Sequence, residues 1–154
     1  MKFNSDLKFG QTYEKEFIKI MGFKSYEHET KKVIKEYDII VKHNGSETKY
    51  EIKADRLSYK TGNLCIEIAN SGRPSGITST KSDYWGYFVI KSDGYDLYVI
   101  PTEELKEMAF SKQYKAIRGG DGKKSDLVLI PIHHLEKFKY NSQVKESSYA
   151  INSR

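Results

Sequence analysis

The sequence predicts an α/β fold with a mixed central β-sheet flanked by helices. Three observations support this prediction: an N-terminal stretch with helical spacing of apolar residues, and two pairs of β-prone runs that each flank a turn dipeptide. The chain has 154 residues, the size of a domain that buries about 68–70% of its unfolded surface. We therefore expect one domain over residues 1–140 and a frayed polar tail over residues 141–154.

Residues 6–21 predict the first element, an amphipathic helix. Ser5 or Asp6 is placed to cap this helix and Gly22 to end it. Its apolar residues recur at helical spacing: Phe9, Tyr13, Phe17, Ile20 and Met21. Residues 23–34 then predict a strand or a polar loop, and we expect the run 26–29 to lie on the surface.

A β-hairpin is predicted around Asn44-Gly45, the dipeptide that best suits a two-residue type I′ turn. Counting outward from this turn places Asp38 directly opposite Glu51, and Lys53 points to the same face of the sheet. The same count gives the pairs His43–Ser46, Val41–Thr48 and Ile39–Tyr50. Two carboxylates and one ammonium group are thus expected at one end of the hairpin.

Two carboxylates this close repel each other unless a cation lies between them. Mg²⁺ is held by oxygen ligands, and it usually binds one or two carboxylates and keeps several waters. A bound metal can polarise a phosphoryl oxygen and lower the pKa of a water. Lys53 could then orient that water or stabilise developing negative charge. The arrangement suits phosphodiester hydrolysis.

The spacing of Asp38 and Glu51-Ile52-Lys53 resembles the signature of the PD-(D/E)XK nuclease superfamily, which includes archaeal Holliday junction resolvases and many type II restriction enzymes. Tyr37 stands where the signature has proline. The resemblance implies a restriction endonuclease-like core and a Mg²⁺ ion, replaceable by Mn²⁺, bound by Asp38, Glu51 and the carbonyl group of Ile52. It also implies that Lys53 positions the attacking water.

Two further acids are candidates for this site. Residues 10–14 resemble the Gly-x-x-x-Glu of the archaeal resolvases, in which a glutamate of the first helix reaches toward the metal; this favours Glu14 over Glu16. A solvated helix face is the alternative for Glu14. Glu67 is a lone acid in the apolar run 64–69, which predicts a strand next to the one that carries Glu51. Because burying an unpartnered carboxylate is costly, we expect Glu67 to belong to the site.

Basic residues near the predicted site are candidates for nucleic-acid contact. Residues 70–83 form a Gly-, Ser- and Thr-rich stretch with a short helix expected around 78–83, and residues 75–85 resemble a run in small nuclease-like proteins of phages. We expect a flexible basic loop over 118–124 and a core position for Trp85. The candidate DNA contacts are Arg56, Lys60, Arg73, Lys81 and Arg118.

The second half of the chain predicts a hairpin from 84–90 to 95–100 around Asp93-Gly94. A helix follows, with Thr102 as its N-cap and an end near residues 108–114. Residues 127–131 predict a last strand and residues 132–138 a short helix.

Composition restricts the function classes. The formal charge of +5 favours encounter with polyanions. The single cysteine, Cys65, excludes an intrachain disulfide and a zinc cluster. Its apolar neighbours predict a packed free thiol. A protein with one unpaired cysteine fits a reducing cytoplasm, which we expect to be that of a bacterial or phage-infected cell. The sequence has no apolar stretch long enough to span a membrane.

These observations predict a Mg²⁺-dependent DNA endonuclease, structure-selective or nicking, compatible with a homodimer acting on branched DNA. A restriction-type endonuclease is the nearest enzymatic alternative. The non-enzymatic alternative is a nucleic-acid-binding protein on a degenerate nuclease scaffold. Nothing in the sequence separates DNA from RNA as the partner.

Overall fold

The computed structural model describes residues 2–30 and 37–140. The predicted tail over 141–154 and the end of the predicted 23–34 element lie outside the described residues. The helices are α1 (Lys2–Met21), α2 (Ser58–Thr61) and α3 (Thr102–Phe110). The strands are β1 (Tyr26–His28), β2 (Ile39–His43), β3 (Ser46–Asp55), β4 (Asn63–Asn70), β5 (Arg73–Pro74), β6 (Tyr84–Lys91), β7 (Gly94–Pro101), β8 (Lys115–Gly119) and β9 (Ser125–Pro131). Short 3₁₀ helices cover Gly76–Thr78, Asp121–Lys123 and Ile132–Phe138.

The strands form two sheets. The first sheet has the order β1-β2-β3-β6-β7, and the second has the order β5-β4-β9-β8. The first sheet is mixed, because β3 and β6 run parallel while its other neighbours are antiparallel. The prediction of an α/β fold with a mixed sheet is confirmed.

The first sheet is the middle layer of the molecule. One of its faces packs on α1 through a cluster that includes Phe17, Tyr50 and Phe88. Its other face packs on the second sheet and on α3 through a cluster that includes Trp85 and Leu105. Strand side chains alternate between faces, so β6 and β7 contribute buried residues to both clusters, whereas β3 contributes only to the cluster on the α1 side. The core position predicted for Trp85 is confirmed, with 2% of this residue exposed.

The hairpin register is as predicted up to its end. The pairs run from His43–Ser46 to Ile39–Tyr50, and both turn residues have positive φ as a type I′ turn requires. The regular ladder stops there: the Asp38 N–H donates to the Tyr50 carbonyl at 2.9 Å, so Asp38 is not directly opposite Glu51. Strand β3 continues beyond this point to Asp55 beside β6.

The prediction that strand 64–69 lies beside the strand of Glu51 is wrong. The strand itself is present as β4, but it pairs with β5 and β9 in the second sheet. The edge of β3 that β4 was expected to occupy is taken by β6, which pairs with it from Tyr50–Tyr84 to Asp55–Val89. A parallel neighbour needs a long crossover connection, and β4 is part of that crossover.

Three helix predictions also differ from the structure. Helix α1 begins at Lys2, so Ser5 and Asp6 lie inside it rather than at its cap. Thr102 is the first residue of α3 and not its N-cap, because Pro101 holds the extended capping position and the Thr102 N–H donates to the Asp83 carbonyl. The expected helix around 78–83 is a 3₁₀ turn at Gly76–Thr78.

Three local expectations are corrected by neighbouring contacts. Arg118 lies in β8, paired with Asp126 of β9, and not in a flexible loop. Cys65 is exposed rather than packed, since it alternates with the buried Leu64 and Ile66 of β4. His28, expected on the surface, is largely covered because its ring contacts Glu14 of α1.

We predict that Gly86→Ala lowers the free energy of unfolding by about 1–3 kcal/mol, the usual cost of overpacking a core. A Cβ at Gly86 would lie 2.7 Å from Cε1 of Phe17 and 3.0 Å from Cδ1 of Ile52, so α1 could not pack as closely on β6. Urea denaturation of both proteins measures the change.

Gly10→Ala is the matched control. A Cβ there would meet only Oε2 of Glu14, at 3.9 Å, and replacing a helical glycine by alanine gains about 0.5–1 kcal/mol. Equal stability of the Gly86→Ala and Gly10→Ala proteins would contradict the proposed close approach of α1 and β6.

Candidate functional site

A cleft of about 700 Å³ opens beside the part of β3 that extends past the end of β2. We call it the β3 cleft. Its walls come from the first half of α1, from the residue before β2, and from the end of β3 with the turn that follows. The lining residues are Leu7, Phe9, Gly10, Glu14, Asp38 and Glu51–Leu57. Four of the five predicted catalytic residues therefore line one cleft: Glu14, Asp38, Glu51 and Lys53.

Asp38 is anchored to the backbone of β3. It is 7% exposed, and its Oδ2 accepts a hydrogen bond from the Ile52 N–H at 2.8 Å. In an extended strand the N–H and C=O groups of one residue point toward the same edge of the strand. For this reason two residues of an antiparallel pair can each donate to and accept from the other. The Ile52 carbonyl therefore points to the edge of β3 where Asp38 lies. These two oxygen donors, predicted as metal ligands, share one edge.

Glu51 and Lys53 lie on the opposite face of β3 from the apolar residues Tyr50 and Ile52 that meet α1. Glu51 is half-buried and pairs in register with Trp85 of β6. Lys53 is exposed, and its Nζ lies 5.7 Å from the centre of the Trp85 ring, within the range of a cation–π contact. The Lys53 ammonium group therefore lies close to Trp85, which lines the neighbouring cavity between the two sheets.

Glu14 is buried at the α1 wall, with 3% of the residue exposed. Its Oε1 lies 2.6 Å from Nε2 of His28, across the gap between α1 and β1. Buried carboxylates are retained only with partners, and this contact supplies one. The solvated helix face considered for Glu14 is therefore wrong, whereas Glu16 lies on the other flank and accepts a hydrogen bond from Tyr95.

Glu67 belongs to different surroundings. It lines a cavity of about 220 Å³ between the two sheets, together with Trp85, Tyr87 and Cys65. Its Oε1 accepts a hydrogen bond from the Ser125 hydroxyl at 2.6 Å, which accounts for an acid in this apolar strand. Lys53 lines both this cavity and the β3 cleft, so Glu67 lies near the site but outside the cleft itself.

Two titratable groups at this cavity are held in their protonated forms. Burial raises the pKa of the Tyr87 phenol, and the negative charge of Asp55 raises it further. Cys65 is exposed overall, but partial desolvation by its neighbours raises the pKa of its thiol, again with a contribution from Asp55. A thiol that stays protonated at neutral pH is a poor nucleophile, so Cys65 adds no reactive group to the site.

The five predicted DNA contacts are not gathered on one face. Arg56 lines the β3 cleft, where its guanidinium lies 3.8 Å from the centre of the Phe9 ring. Lys60 is exposed four residues further on, in α2. Arg73 and Arg118 are on β5 and β8, the opposite edges of the second sheet, and Arg118 pairs with Asp126 at 3.4 Å. Lys81 is exposed in the loop before β6.

The donor set of the cleft fits a hard divalent cation. It offers carboxylate oxygens from Asp38 and Glu51 and the carbonyl oxygen of Ile52, and Mg²⁺ usually completes such a set with water. Among the side chains that the structure describes, in residues 7–30 and 37–140, no group of three or more His, Cys, Asp or Glu is arranged to hold a metal ion. A metal bound here would therefore rely on two carboxylates, a backbone carbonyl and solvent.

His28 and Asp55 are cleft neighbours that the sequence did not identify. His28 lies in a three-residue strand, too short for alternation to predict which face it uses. Its pairing with Ile39 places it next to Asp38. Asp55 lines the cleft and its Oδ1 accepts a hydrogen bond from the Leu57 N–H at 2.7 Å. Asp is favoured at such turns because its carboxylate can accept a hydrogen bond from the backbone N–H two residues later.

The chain matches no protein-family model, no curated protein and no solved structure. Among the helices of the described ranges, none is both long and apolar enough to cross a membrane. Its function must therefore be inferred from the geometry of the β3 cleft.

We predict that Glu14 and His28 are coupled by about 0.5–3 kcal/mol, the range found for residues in direct contact. A double-mutant cycle with Glu14→Gln and His28→Ala, measured by urea denaturation, gives this coupling. The physical reason is that removing His28 leaves the buried Glu14 carboxylate without this contact, and the lost hydrogen bond no longer offsets the cost of removing the carboxylate from water.

The pair Glu27–Lys42 is a control from the same strand. Its Oε2–Nζ distance is 3.0 Å, but both side chains are at least half exposed, so its coupling should stay below about 1 kcal/mol. If the two cycles give the same coupling, the Glu14–His28 contact is no stronger than a surface ion pair.

Proposed function

We propose that this protein is a divalent-metal-dependent nuclease that hydrolyses phosphodiester bonds in DNA, on a restriction endonuclease-like core. One observation carries the proposal: residues 14, 38 and 51–53, far apart in sequence, line a single cleft. Residues 38 and 51–53 resemble the PD-(D/E)XK signature, and residue 14 resembles the glutamate of the first helix in the archaeal resolvases. The mixed sheet with α1 on one face is compatible with such a core.

The residues of the cleft have distinct proposed roles. Asp38, Glu51 and the Ile52 carbonyl would hold the metal, which would polarise a phosphoryl oxygen and acidify a water. The hydrogen bond from the Ile52 N–H fixes the Asp38 carboxylate relative to β3. Lys53, steadied by the Trp85 ring, orients the attacking water or stabilises the charge that develops on the phosphate.

Glu14 is proposed as an additional acid of the site. It faces the cleft from α1, opposite β3, and its contact with His28 holds the carboxylate in place. Glu67 is proposed as a more distant acid of the site, because it lies outside the β3 cleft but lines the neighbouring cavity together with Lys53.

The open shape and charge of the molecule support a large anionic substrate. The cleft lies at the surface, with Lys53 and Arg56 exposed at its wall. The net charge of +5 favours approach of a polyanion. Both features suit a nucleic-acid strand that lays one phosphate against the acids.

A non-catalytic nucleic-acid-binding protein is the competing proposal. The absence of a metal-holding group of three side chains within the described ranges favours it. The intact set of Asp38, Glu51 and Lys53 favours the enzyme, because a protein that only binds DNA has no need for acids next to its phosphate contacts. The dependence on metal separates the two proposals.

We predict that the protein cleaves DNA in Mg²⁺ or Mn²⁺ but not in EDTA, and that Lys53→Ala lowers the rate at least about 100-fold, the usual effect of removing one transition-state donor. Lys53 is exposed, so the variant should fold normally. The assay uses supercoiled plasmid, linear duplex, single-stranded DNA and a four-way junction.

Lys137→Ala is the matched control. Lys137 is also exposed, at 71% of its side chain, and lies outside the β3 cleft. It should leave the rate unchanged. If no substrate is cut with either metal while DNA binding persists in EDTA, the protein is a binding module rather than a nuclease.

We predict that Mn²⁺ stabilises the protein through Asp38. At a concentration tenfold above its Kd, a bound metal adds about 1.4 kcal/mol, which raises Tm by about 3–6 °C for a chain of this size. Asp38→Asn should abolish this increase while its amide oxygen still accepts the Ile52 N–H. Thermal unfolding with and without Mn²⁺ measures both.

Asp126→Asn removes an aspartate from a partly exposed ion pair with Arg118 and should retain the full metal effect. An equal increase in Tm for the Asp38→Asn and unsubstituted proteins would place the metal elsewhere.

A further inference from the structure

The segment Arg56–Lys60, which follows β3, exposes an unusual amount of apolar surface. Leu57 is 66% exposed and Tyr59 is 57% exposed. They are the two most exposed large apolar residues of the described chain, and a single residue separates them. Cations flank them on both sides, Arg56 before and Lys60 after. Scattered exposed apolar residues are normal, but a cluster next to a functional cleft indicates a contact surface.

Hydrogen bonds hold this segment in one conformation. The Leu57 N–H donates to Oδ1 of Asp55 at 2.7 Å. The Leu57 carbonyl accepts hydrogen bonds from Lys60 and Thr61, both at 3.0 Å. Ser58, between the two exposed residues, is 1% exposed and anchors the turn. Because the surface is preformed, a ligand does not bear the cost of ordering it.

The segment continues directly from the proposed active site. Arg56 and Leu57 line the β3 cleft together with Lys53. The Arg56 guanidinium is stacked on Phe9, 3.8 Å from the ring centre, so its charge is fixed at the rim. Leu57 therefore lies at the rim of the cleft, and Tyr59 follows it by two residues along the chain.

The mixture of groups indicates the occupant. Aromatic side chains between cations bind nucleic-acid strands by stacking on bases of any sequence while the cations contact phosphates. Leucine is among the apolar side chains that insert between bases and unstack them. Intact duplex presents its phosphates outward and keeps its base faces covered, so Tyr59 can stack only on bases that are unpaired or that Leu57 has helped to unstack.

We infer that Arg56–Lys60 is a stacking surface for unpaired DNA bases, which directs the β3 cleft to places where the duplex is interrupted. This inference rests on the proposed function and adds the class of substrate to it. Tyr59 stacks on a base, Leu57 wedges at the end of the paired region, and Arg56 and Lys60 contact the backbone.

Binding in EDTA tests the inference without any cleavage. Fluorescence anisotropy compares a fully paired duplex with the same duplex carrying a short internal loop of unpaired bases. Stacking on an aromatic side chain contributes about 1–3 kcal/mol per base, so Tyr59→Ala should weaken binding to the looped duplex about 5- to 150-fold. Binding to the paired duplex should change less than about twofold.

Two further substitutions show that stacking is the cause. Tyr59→Phe keeps the ring and should keep the affinity for the looped duplex. Leu57→Ala should weaken it, whereas Phe110→Ala, at an aromatic residue of α3 that is 48% exposed and outside the cleft, should not. A fluorescent adenine analogue in the loop should lose emission when it stacks on the unsubstituted protein but not on Tyr59→Ala.

Equal affinity for the two duplexes, or no binding to either, would overturn the inference. So would equal losses on both duplexes for Tyr59→Ala. These outcomes differ from a failure of the proposed function, in which metal-dependent cutting is absent although the preference for unpaired bases in EDTA remains. Thermal unfolding of each variant separates loss of contact from loss of fold.

Discussion

The structure depends on the parallel pairing of β3 with β6. This pairing puts β3 in the interior of the five-stranded sheet, with Tyr50 and Ile52 against α1 and the intervening residues on the other face. Because side chains alternate between the two faces of a strand, Glu51 and Lys53 lie on the face away from α1. Their register partners on β6 are Trp85 and Tyr87. Because β3 runs on past the end of β2, the β2 edge of its last residues borders open space, while their other edge remains paired with β6. The cleft is a consequence of this difference in strand length.

The same cleft concentrates groups that a core would normally exclude. Glu14 and Asp38 are both nearly buried, and an isolated buried carboxylate is among the costliest groups in a protein. Here His28 and the Ile52 N–H hold one oxygen of each acid. Polar groups placed against local folding preference are expected at functional sites, where another requirement outweighs stability. The β3 cleft differs from the other cavities of the described chain because two nearly buried carboxylates line it.

The hairpin and helix α1 could be predicted from the sequence, because each depends on residues that are close together in the chain. Asn44-Gly45 fixed the hairpin register because a type I′ turn permits one pairing, and the apolar spacing of residues 9–21 placed α1. The partner of β3 could not be predicted in this way. About thirty residues, including all of β4, separate β3 from β6, and β4 has the same apolar alternation as a strand of the first sheet. His28 was missed for a related reason, since its role depends on α1 crossing β1 and not on its neighbours in the chain.

The position of Arg56–Lys60 follows from the same geometry. Asp55 is the last residue of β3, and its carboxylate accepts the Leu57 N–H, so the turn is fastened to the strand that carries Glu51 and Lys53. The Phe9 ring holds Arg56 from the α1 side. Strand and helix thus fix the rim of the cleft relative to its acids, with no loop motion needed to align them. Substitutions at Leu57 and Tyr59 can alter which DNA reaches the cleft while the groups on β3 stay in place, because those exposed side chains contribute little to the packing of either sheet.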